Sequence, residues 1–286
     1  MSMRKKIVQV ILVLGWLIWS VPVFSSGEHE GHPTGKHAAE HGGAKAGGKH
    51  GGYGGKHGGK GKHGGHGYGR PKGPPKDIPA HIQERLDPDG TKINLNRSLI
   101  GVKGMEILSN TPEVKNITSL ALQGNKLGDE GVKILCTSDT FKHVEKLSLW
   151  GNDVSEKGAK MIAESPNMKN LTELKLTRNK VGDEGIVALV GSANSKNLTF
   201  MDLSANQISD RGAMAIANSP YLANLKTLDL YNNQITEKGM EALLNSKTLK
   251  SLELLILVRN EINPGQRTDD LAKNQSLPNL RRLEVF

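Results

Sequence analysis

Asparagine and leucine recur at a fixed interval of 27 residues through the C-terminal part of this 286-residue chain. Asn125, Asn152, Asn179, Asn206, Asn233 and Asn260 form one column. Leu122, Leu149, Leu176, Leu203, Leu230 and Leu257 form a second, which Leu95 extends backward by one unit. Gly104, Gly131, Gly158, Gly185, Gly212 and Gly239 form a third. Three columns in register over six or seven units cannot come from composition, and self-similarity at such a period marks an array of supersecondary units. A unit this short cannot bury its apolar face alone, so neighbours must stack into a solenoid.

Each column has a physical task. Leucines two apart, such as Leu174 and Leu176, point to one face of a short strand, and stacking the units lays those strands into a parallel sheet. The asparagine that follows turns the chain, and its buried amide is expected to hydrogen-bond backbone groups of the adjacent turn. A second half begins at Ser155-Glu156, Ser209-Asp210 or Thr236-Glu237, a helix N-cap followed by a first-turn carboxylate. Its apolar positions, such as Met161 and Ile162, recur at helical spacing. The glycine of the first helical turn is expected to let the helix pack close to the strand layer.

The unit reads L-x-x-L-x-L-x-x-N-x-[ILV], followed by a helical half with acidic-x-Gly, as in Leu171 to Gly185. This pattern resembles the leucine-rich repeat family, specifically its ribonuclease-inhibitor-like class, from about Ile93 to the C-terminus. The resemblance implies an α/β solenoid of about seven 27-residue repeats: a curved horseshoe with a parallel sheet on the concave face and helices on the convex face. It also implies recognition of other macromolecules through the concave face, and leaves the partner open. The pattern departs at both ends, with Ser98 in place of the first Asn and Asn263-Pro264-Gly265 in place of the sixth acidic-x-Gly. The last strand, Leu280 to Phe286, reads either as an atypical cap or as an open sheet edge, and an open edge would allow an edge-paired dimer beside the monomer.

Charge and glycine divide the remainder. The formal charge is +9, yet residues 77–286 hold 26 basic and 26 acidic side chains, so the whole excess lies in the first 76 residues. A neutral repeat region disfavours a nucleic-acid partner. Residues 1–25 have the form of an export signal: the basic Arg4-Lys5-Lys6, an apolar run from Ile7 to Phe24, and the small Ser25. The run is also just long enough for a retained membrane anchor, while Pro22 before the small residues favours cleavage. Either way the working compartment is extracytoplasmic, whether secreted, periplasmic or cell envelope.

Residues 26–76 form a Gly/His/Lys-rich tail, with 19 glycines between Gly27 and Gly73, too many for an apolar core to offset the entropy of folding. A disordered tether of this length reaches roughly 40 Å. Its histidines, His29, His32, His37, His41, His50, His57, His63 and His66, are candidate ligands for weak Zn, Ni or Cu capture. The plainer alternative is a cationic linker adhering loosely to anionic envelope polymers. Cleavage after Ser26 would leave Gly27-Glu28-His29, an amine-plus-third-histidine chelate for Cu(II) or Ni(II). Otherwise no cofactor is expected. The single cysteine, Cys136, rules out an intramolecular disulfide framework and a Cys-cluster metal site.

The columns also account for single residues. Cys136 shares a column with Ala163, Val190, Ala217 and Leu244 and is expected to be buried; His143 shares one with Asn116, Asn170, Asn197 and Asn224, a structural polar position. No nucleophile–base pair or phosphate loop is apparent, so an enzyme is not expected. What the columns leave unexplained lies on the expected concave face. Tyr231, Val258, Leu254 and Ile256, with Phe286 if the last strand pairs in register, form an apolar patch of hot-spot composition. It reads either as an interface or as an end covered by the segment from Gln266 to Pro278. Asp202 and Asp229 stand side by side, which calls for a cation; Lys175 is placed to answer Asp202. Phe200 lies in the first row, and Trp150 stands apart as a second anchor. The sequence therefore predicts an exported, non-enzymatic module that binds a protein or peptide, with the metal-capturing or tethering tail as the alternative active element.

Overall fold

Repetition of an apolar-x-apolar triplet every 27 residues gives strands only three residues long, and their stacking gives the sheet. In the computed structural model the described residues are 9–11, as backbone only, 73–273 and 275–286. The rest of the expected export signal, and the tail as far as residue 72 with its eight histidines, lie outside the described residues. The strands are β1 (Gln9–Ile11), β2 (Lys92–Asn94), β3 (Ser119–Ala121), β4 (Lys146–Ser148), β5 (Glu173–Lys175), β6 (Phe200–Asp202), β7 (Thr227–Asp229), β8 (Leu254–Ile256) and β9 (Arg282–Glu284). They form one parallel sheet in the order β1-β9-β8-β7-β6-β5-β4-β3-β2. Helices α1 (Ile78–Arg85), α2 (Gly101–Ser109), α3 (Gly128–Thr137), α4 (Glu156–Glu164), α5 (Gly182–Val190), α6 (Asp210–Ala217), α7 (Glu237–Leu244) and α8 (Gln266–Lys273) pack in sequence beside one another. The architecture is a leucine-rich-repeat solenoid.

The middle residue of each strand from β3 to β9 falls in one row, Leu120, Leu147, Leu174, Met201, Leu228, Leu255 and Leu283, and every one is buried. Alternation then turns the flanking residues to the opposite, open face. The asparagine column behaves as the sequence predicts. The Asn179 Nδ2 donates to the Leu149 and Leu176 carbonyls at 3.0 and 2.8 Å, and its Oδ1 accepts from the backbone of Asn152 and Val154, both at 3.0 Å. Asn152 repeats the motif one unit back, taking the Asn125 amide at 2.9 Å and donating to the Leu122 carbonyl at 2.8 Å.

The glycine column has a different reason from the expected one. A Cβ at Gly158, Gly212 or Gly239 would lie 2.5, 2.6 or 2.5 Å from the Oδ1 of Asp129, Asp183 or Asp210, a carboxylate of the preceding repeat, and as close to its own Val154, Ile208 or Ile235. Each aspartate caps the helix of the next unit. Asp183 accepts from the Ser209 N and Gly212 N at 2.9 and 3.0 Å and from the Ser209 Oγ at 2.5 Å. Asp129 does the same for Ser155 and Gly158, and Asp210 for Thr236 and Gly239. At these three positions glycine therefore makes room for a neighbour's carboxylate and for the apolar side chain one turn back, whereas Gly104 and Gly131 make room for Ile100 and Leu127, and Gly185 for Val181, Ala159 and the Glu156 backbone.

Both ends differ from the sequence reading. At the N-terminal end α1 was not foreseen: Asp77 caps it, Pro79 stands in its first turn, and Ile82 is fully buried. Its His81 Nε2 lies 2.8 Å from the Ser98 Oγ, which explains the Ser98 substitution as part of this cap. Burial and the nearby Arg85 hold the His81 imidazole below its ordinary pKa, against Glu84. At the other end β9 pairs in register with β8, and its outer edge is taken by β1, Gln9 opposite Arg282 and Ile11 opposite Glu284. In the full chain that edge is thus covered by residues that belong to the expected export signal, so removal of the signal would return β9 to the open edge from which the sequence reading drew an edge-paired dimer. Among the described residues no helix is long and apolar enough to cross a membrane.

Two stability predictions follow from the ladders. Asn179→Ala should lower unfolding free energy by about 3 kcal/mol, because buried backbone groups lose their partner, whereas Asn224→Ala, an exposed residue bonded only to the Lys196 carbonyl, should cost less than about 1 kcal/mol. Urea unfolding of the two variants checks the contrast. Gly212→Ala should cost about 1–3 kcal/mol through overpacking, and its penalty should shrink when measured in an Asp183→Ala background, since the two groups share one space.

Candidate functional site

The open face of the sheet carries the sequence-predicted residues in three rows. The first, from Ser119 through Lys146, Glu173, Phe200, Thr227 and Leu254, continues to Arg282, and the second, from Ala121 through Ser148, Lys175, Asp202, Asp229 and Ile256, continues to Glu284. Beyond the strands lies the third row, with Trp150, Tyr231 and Val258. Leu254, Ile256, Val258, Tyr231, Phe200, Trp150 and Phe286 are all half-buried by their neighbours. Leu254, Ile256, Val258 and Tyr231 thus stand on neighbouring repeats, Phe286 packs in part against the core, and Arg282 and Glu284, paired at 2.5 Å, follow on β9. The segment from 266 to 278 does not cover the apolar residues. Arg267 reaches Glu241 of α7 at 3.1 Å and Ser276 donates to the Leu244 carbonyl, so this segment runs along the helices.

Asp202 and Asp229 are register partners on β6 and β7. The Asp202 Oδ1 accepts from the Ser204 N and Oγ at 3.0 and 2.6 Å, and the Asp229 Oδ1 from the Tyr231 N at 2.8 Å. Burial first, then the Asp202 charge, with a further push from Glu284, raise Asp229 to about 6, against hydrogen bonds from Tyr231 and Ser204.

Lys175 does not pair with Asp202 as the sequence suggested; its Nζ lies 5.2 Å from the centre of the Phe200 ring, because the diagonal neighbour offers a π face within reach of the long stem. Trp150 is not isolated either. The guanidinium of Arg178 sits 5.6 Å from its ring centre, and Arg259 stands in the same relation to Tyr231, also at 5.6 Å. Sequence reasoning missed Arg178 and Arg259 because they occupy the turn position before the asparagine. Their column also holds Arg97, Gly124, Gly151, Ala205 and Asn232, so residue type alone gave no signal; the signal was the aromatic 28 residues earlier, Trp150 before Arg178 and Tyr231 before Arg259.

Other candidate chemistry is absorbed by structure. Cys136 is buried, and burial pushes its thiol up to about 12, so it carries no thiolate at neutral pH. His143 is exposed. Its column partners Asn170, Asn197 and Asn224 each donate to a backbone carbonyl of the previous repeat, the structural duty the sequence assigned to that position. A hollow of about 610 Å³ between α1 and α2, lined by Pro79, Ile107 and Pro112 with Glu106 and Glu113, contains no His, Cys, Lys or Arg and lies apart from the open face.

The raised pKa of Asp229 has a definite sign. An acid that binds its proton more tightly when folded contributes stability below the unfolded value of 3.8 and loses it as pH rises through about 6. Asp229→Asn should therefore be more stable than the parent at pH 7, by on the order of 2 kcal/mol, and the gain should vanish below about pH 4. Urea midpoints at the two pH values measure it; equal gains at both would contradict the assignment.

The family model described as Leucine Rich repeat matches residues 115–136, 167–190, 194–217 and 221–244, four helix-bearing stretches of the solenoid that carry α3, α5, α6 and α7. No curated protein matches the chain. Among solved structures, the crystal structure of internalin C2 from Listeria monocytogenes is similar at 19% identity and a TM-score of 0.45, covering 68% of this chain and 80% of that one. An internalin, inlF, from the same organism is similar at 21% identity and a TM-score of 0.38, over 62% of this chain and 56% of its own. Likeness at this level carries nothing about function. With the matched repeats, the asparagine ladder and the stacked strand–helix units together, the repeat region of this chain belongs to the leucine-rich repeat family.

Proposed function

We propose that the chain is an exported, non-enzymatic module that binds a protein or peptide partner through the concave face of its repeats. The observation that carries this reading is the open face: no described element covers it, and it gathers the residues that the repeat columns do not require. Tyr231, Val258, Ile256, Leu254, Asp229 and Asp202 form its centre, Phe200 and Lys175 its flank, and Trp150 a second anchor three repeats away. Aromatic side chains held on a rigid sheet supply contact area at low entropic cost. The non-enzymatic reading is supported by the duties already found for the chemically reactive side chains: Cys136 packs, His81 joins the end cap, and His143 stands in for a structural asparagine.

Export rests on residues 1–25, and it places the protein outside the cytoplasm with membrane contact limited to that segment or to loose adhesion through the tail. A second reading rests on the eight histidines of residues 27–72, a density suited to gathering several imidazoles around one Zn, Ni or Cu ion.

Two measurements test these readings. Capture of a binding partner by immobilised full-length protein should fall at least about tenfold in Tyr231→Ala; undiminished capture would remove the site assignment. Titration of Zn(II), Ni(II) and Cu(II) into the parent and a variant with the eight tail histidines changed to Gln should show uptake by the parent alone, and equal uptake would end the metal reading.

A further inference from the structure

Among the described residues, two sets of cations on and beside the open face differ in what they meet. Lys146, Lys180 and Arg282 are paired with Glu173, Asp153 and Glu284 at 2.6, 3.0 and 2.5 Å. Lys175, Arg178 and Arg259 have no carboxylate within 4.0 Å, and each lies over an aromatic ring instead. A guanidinium held over a ring keeps its N–H edge available for a carboxylate, which it takes bidentately.

Arg178 and Arg259, at φ 53° and 59°, share a left-handed turn column with Arg97, Gly124, Gly151, Ala205 and Asn232, so the positive φ belongs to the turn and not to these two residues. What sets the two apart is where their side chains go: each reaches over an aromatic of the preceding repeat, Trp150 and Tyr231.

Spacing then defines a ligand. The two Arg–aromatic pairs are three repeats apart, about 14 Å at the usual separation of parallel strands. In an extended polypeptide, residues i and i+4 share one face and are also about 14 Å apart. Residue i+2 shares that face and falls midway, level with β6 and β7; there Asp202 and Asp229 stand three residues before the arginine column, to one side of the segment, where a long basic side chain is needed to reach them, and the hydrogen bonds they accept come from neutral donors. A uniform polyanion would meet those two carboxylates between the arginines, so the face disfavours an acidic polysaccharide or a nucleic acid.

We propose that this face takes an extended segment of a partner polypeptide laid across the strands, with acidic side chains at i and i+4 on Arg178 and Arg259 and a basic side chain at i+2 against Asp202 and Asp229. Lys175, on the same repeat as Arg178, strengthens the hold on the first acid. The pattern is symmetric, so either chain direction satisfies it. The proposal rests on the concave-face reading above and adds the chemistry of the partner.

The test uses two fluorescent peptides, Gly-Ser-Glu-Ser-Lys-Ser-Glu-Ser-Gly and its charge-reversed form Gly-Ser-Lys-Ser-Glu-Ser-Lys-Ser-Gly, titrated with full-length protein at low salt. The first should bind at least about tenfold more tightly than the second. Arg178→Gln and Arg259→Gln should each weaken it severalfold. Arg259→Gly should weaken binding while leaving the fold at least as stable, which separates recognition from folding. Equal affinities, the opposite preference, or no binding of the first peptide at about 1 mM overturns the charge pattern. Selection of ligands from a displayed random-peptide library by the same protein separates this failure from the broader one. Selected peptides that lose affinity for Tyr231→Ala but lack the acid–base–acid spacing sink only the pattern, and peptides indifferent to Tyr231→Ala sink the concave face with it.

Discussion

A three-residue strand cannot hold itself in place, because it ends before it has buried enough apolar surface to offset its own ordering. In each repeat the asparagine after the strand supplies the missing connection. Its amide donates to a carbonyl of the previous unit and of its own strand, and its carbonyl oxygen takes the backbone amides of that previous unit, as Asn179 does with Leu149, Leu176, Asn152 and Val154. The backbone groups exposed by the turn are thus paired inside the core, where leaving them bare would be costly. The bond crosses a repeat boundary, so no unit is complete without its neighbour. Cooperativity along the solenoid follows from that sharing, as well as from apolar stacking.

The helix layer repeats the same logic with a different group. Asp129, Asp183 and Asp210 each cap the next repeat's helix, and the capped residue is Ser or Thr in every case. Where the acid is Glu156, the following unit opens with Gly182 at φ 57° and no side-chain cap. Where it is Glu237, the following Asn263 donates its backbone amide at 2.9 Å. In these five repeats an aspartate is followed 26 residues later by Ser or Thr, and a glutamate by Gly or Asn.

Columns of identical residues were legible in the sequence because a solenoid applies the same physical demand once per turn. Leu, Asn and the N-cap Ser or Thr were placed correctly for that reason. Relations between unlike residues were less visible: the glycine column showed that space is needed but not that an aspartate of the previous unit fills it at Gly158, Gly212 and Gly239. The end caps escaped because they are used once. His81 and Ser98 form a pair with no periodic echo. On the open face the row positions were correct, while the pairing was not. Lys175 turned from Asp202 to Phe200, and Arg178 and Arg259 were hidden in a column read only as a turn. Side-chain direction within a row depends on diagonal neighbours, which a period of 27 does not encode.

Stability built into the ladders has a consequence for the face that they leave open. The asparagine and aspartate networks and the buried leucine rows lie on the other side of the strands, so a residue such as Asp229 can carry a local cost without unmaking the fold. Asp229 is pushed to about 6 by burial beside Asp202. Arg178 and Arg259 stack on Trp150 and Tyr231 from a turn column whose left-handed backbone they share with Arg97, Ala205 and Asn232, so their placement adds no strain beyond what the turn itself requires. Stacked units that are held by their own ladders leave the exposed rows free to vary. Placing a carboxylate pair between two aromatic-backed arginines is then an arrangement the solenoid tolerates because its own cohesion is secured elsewhere.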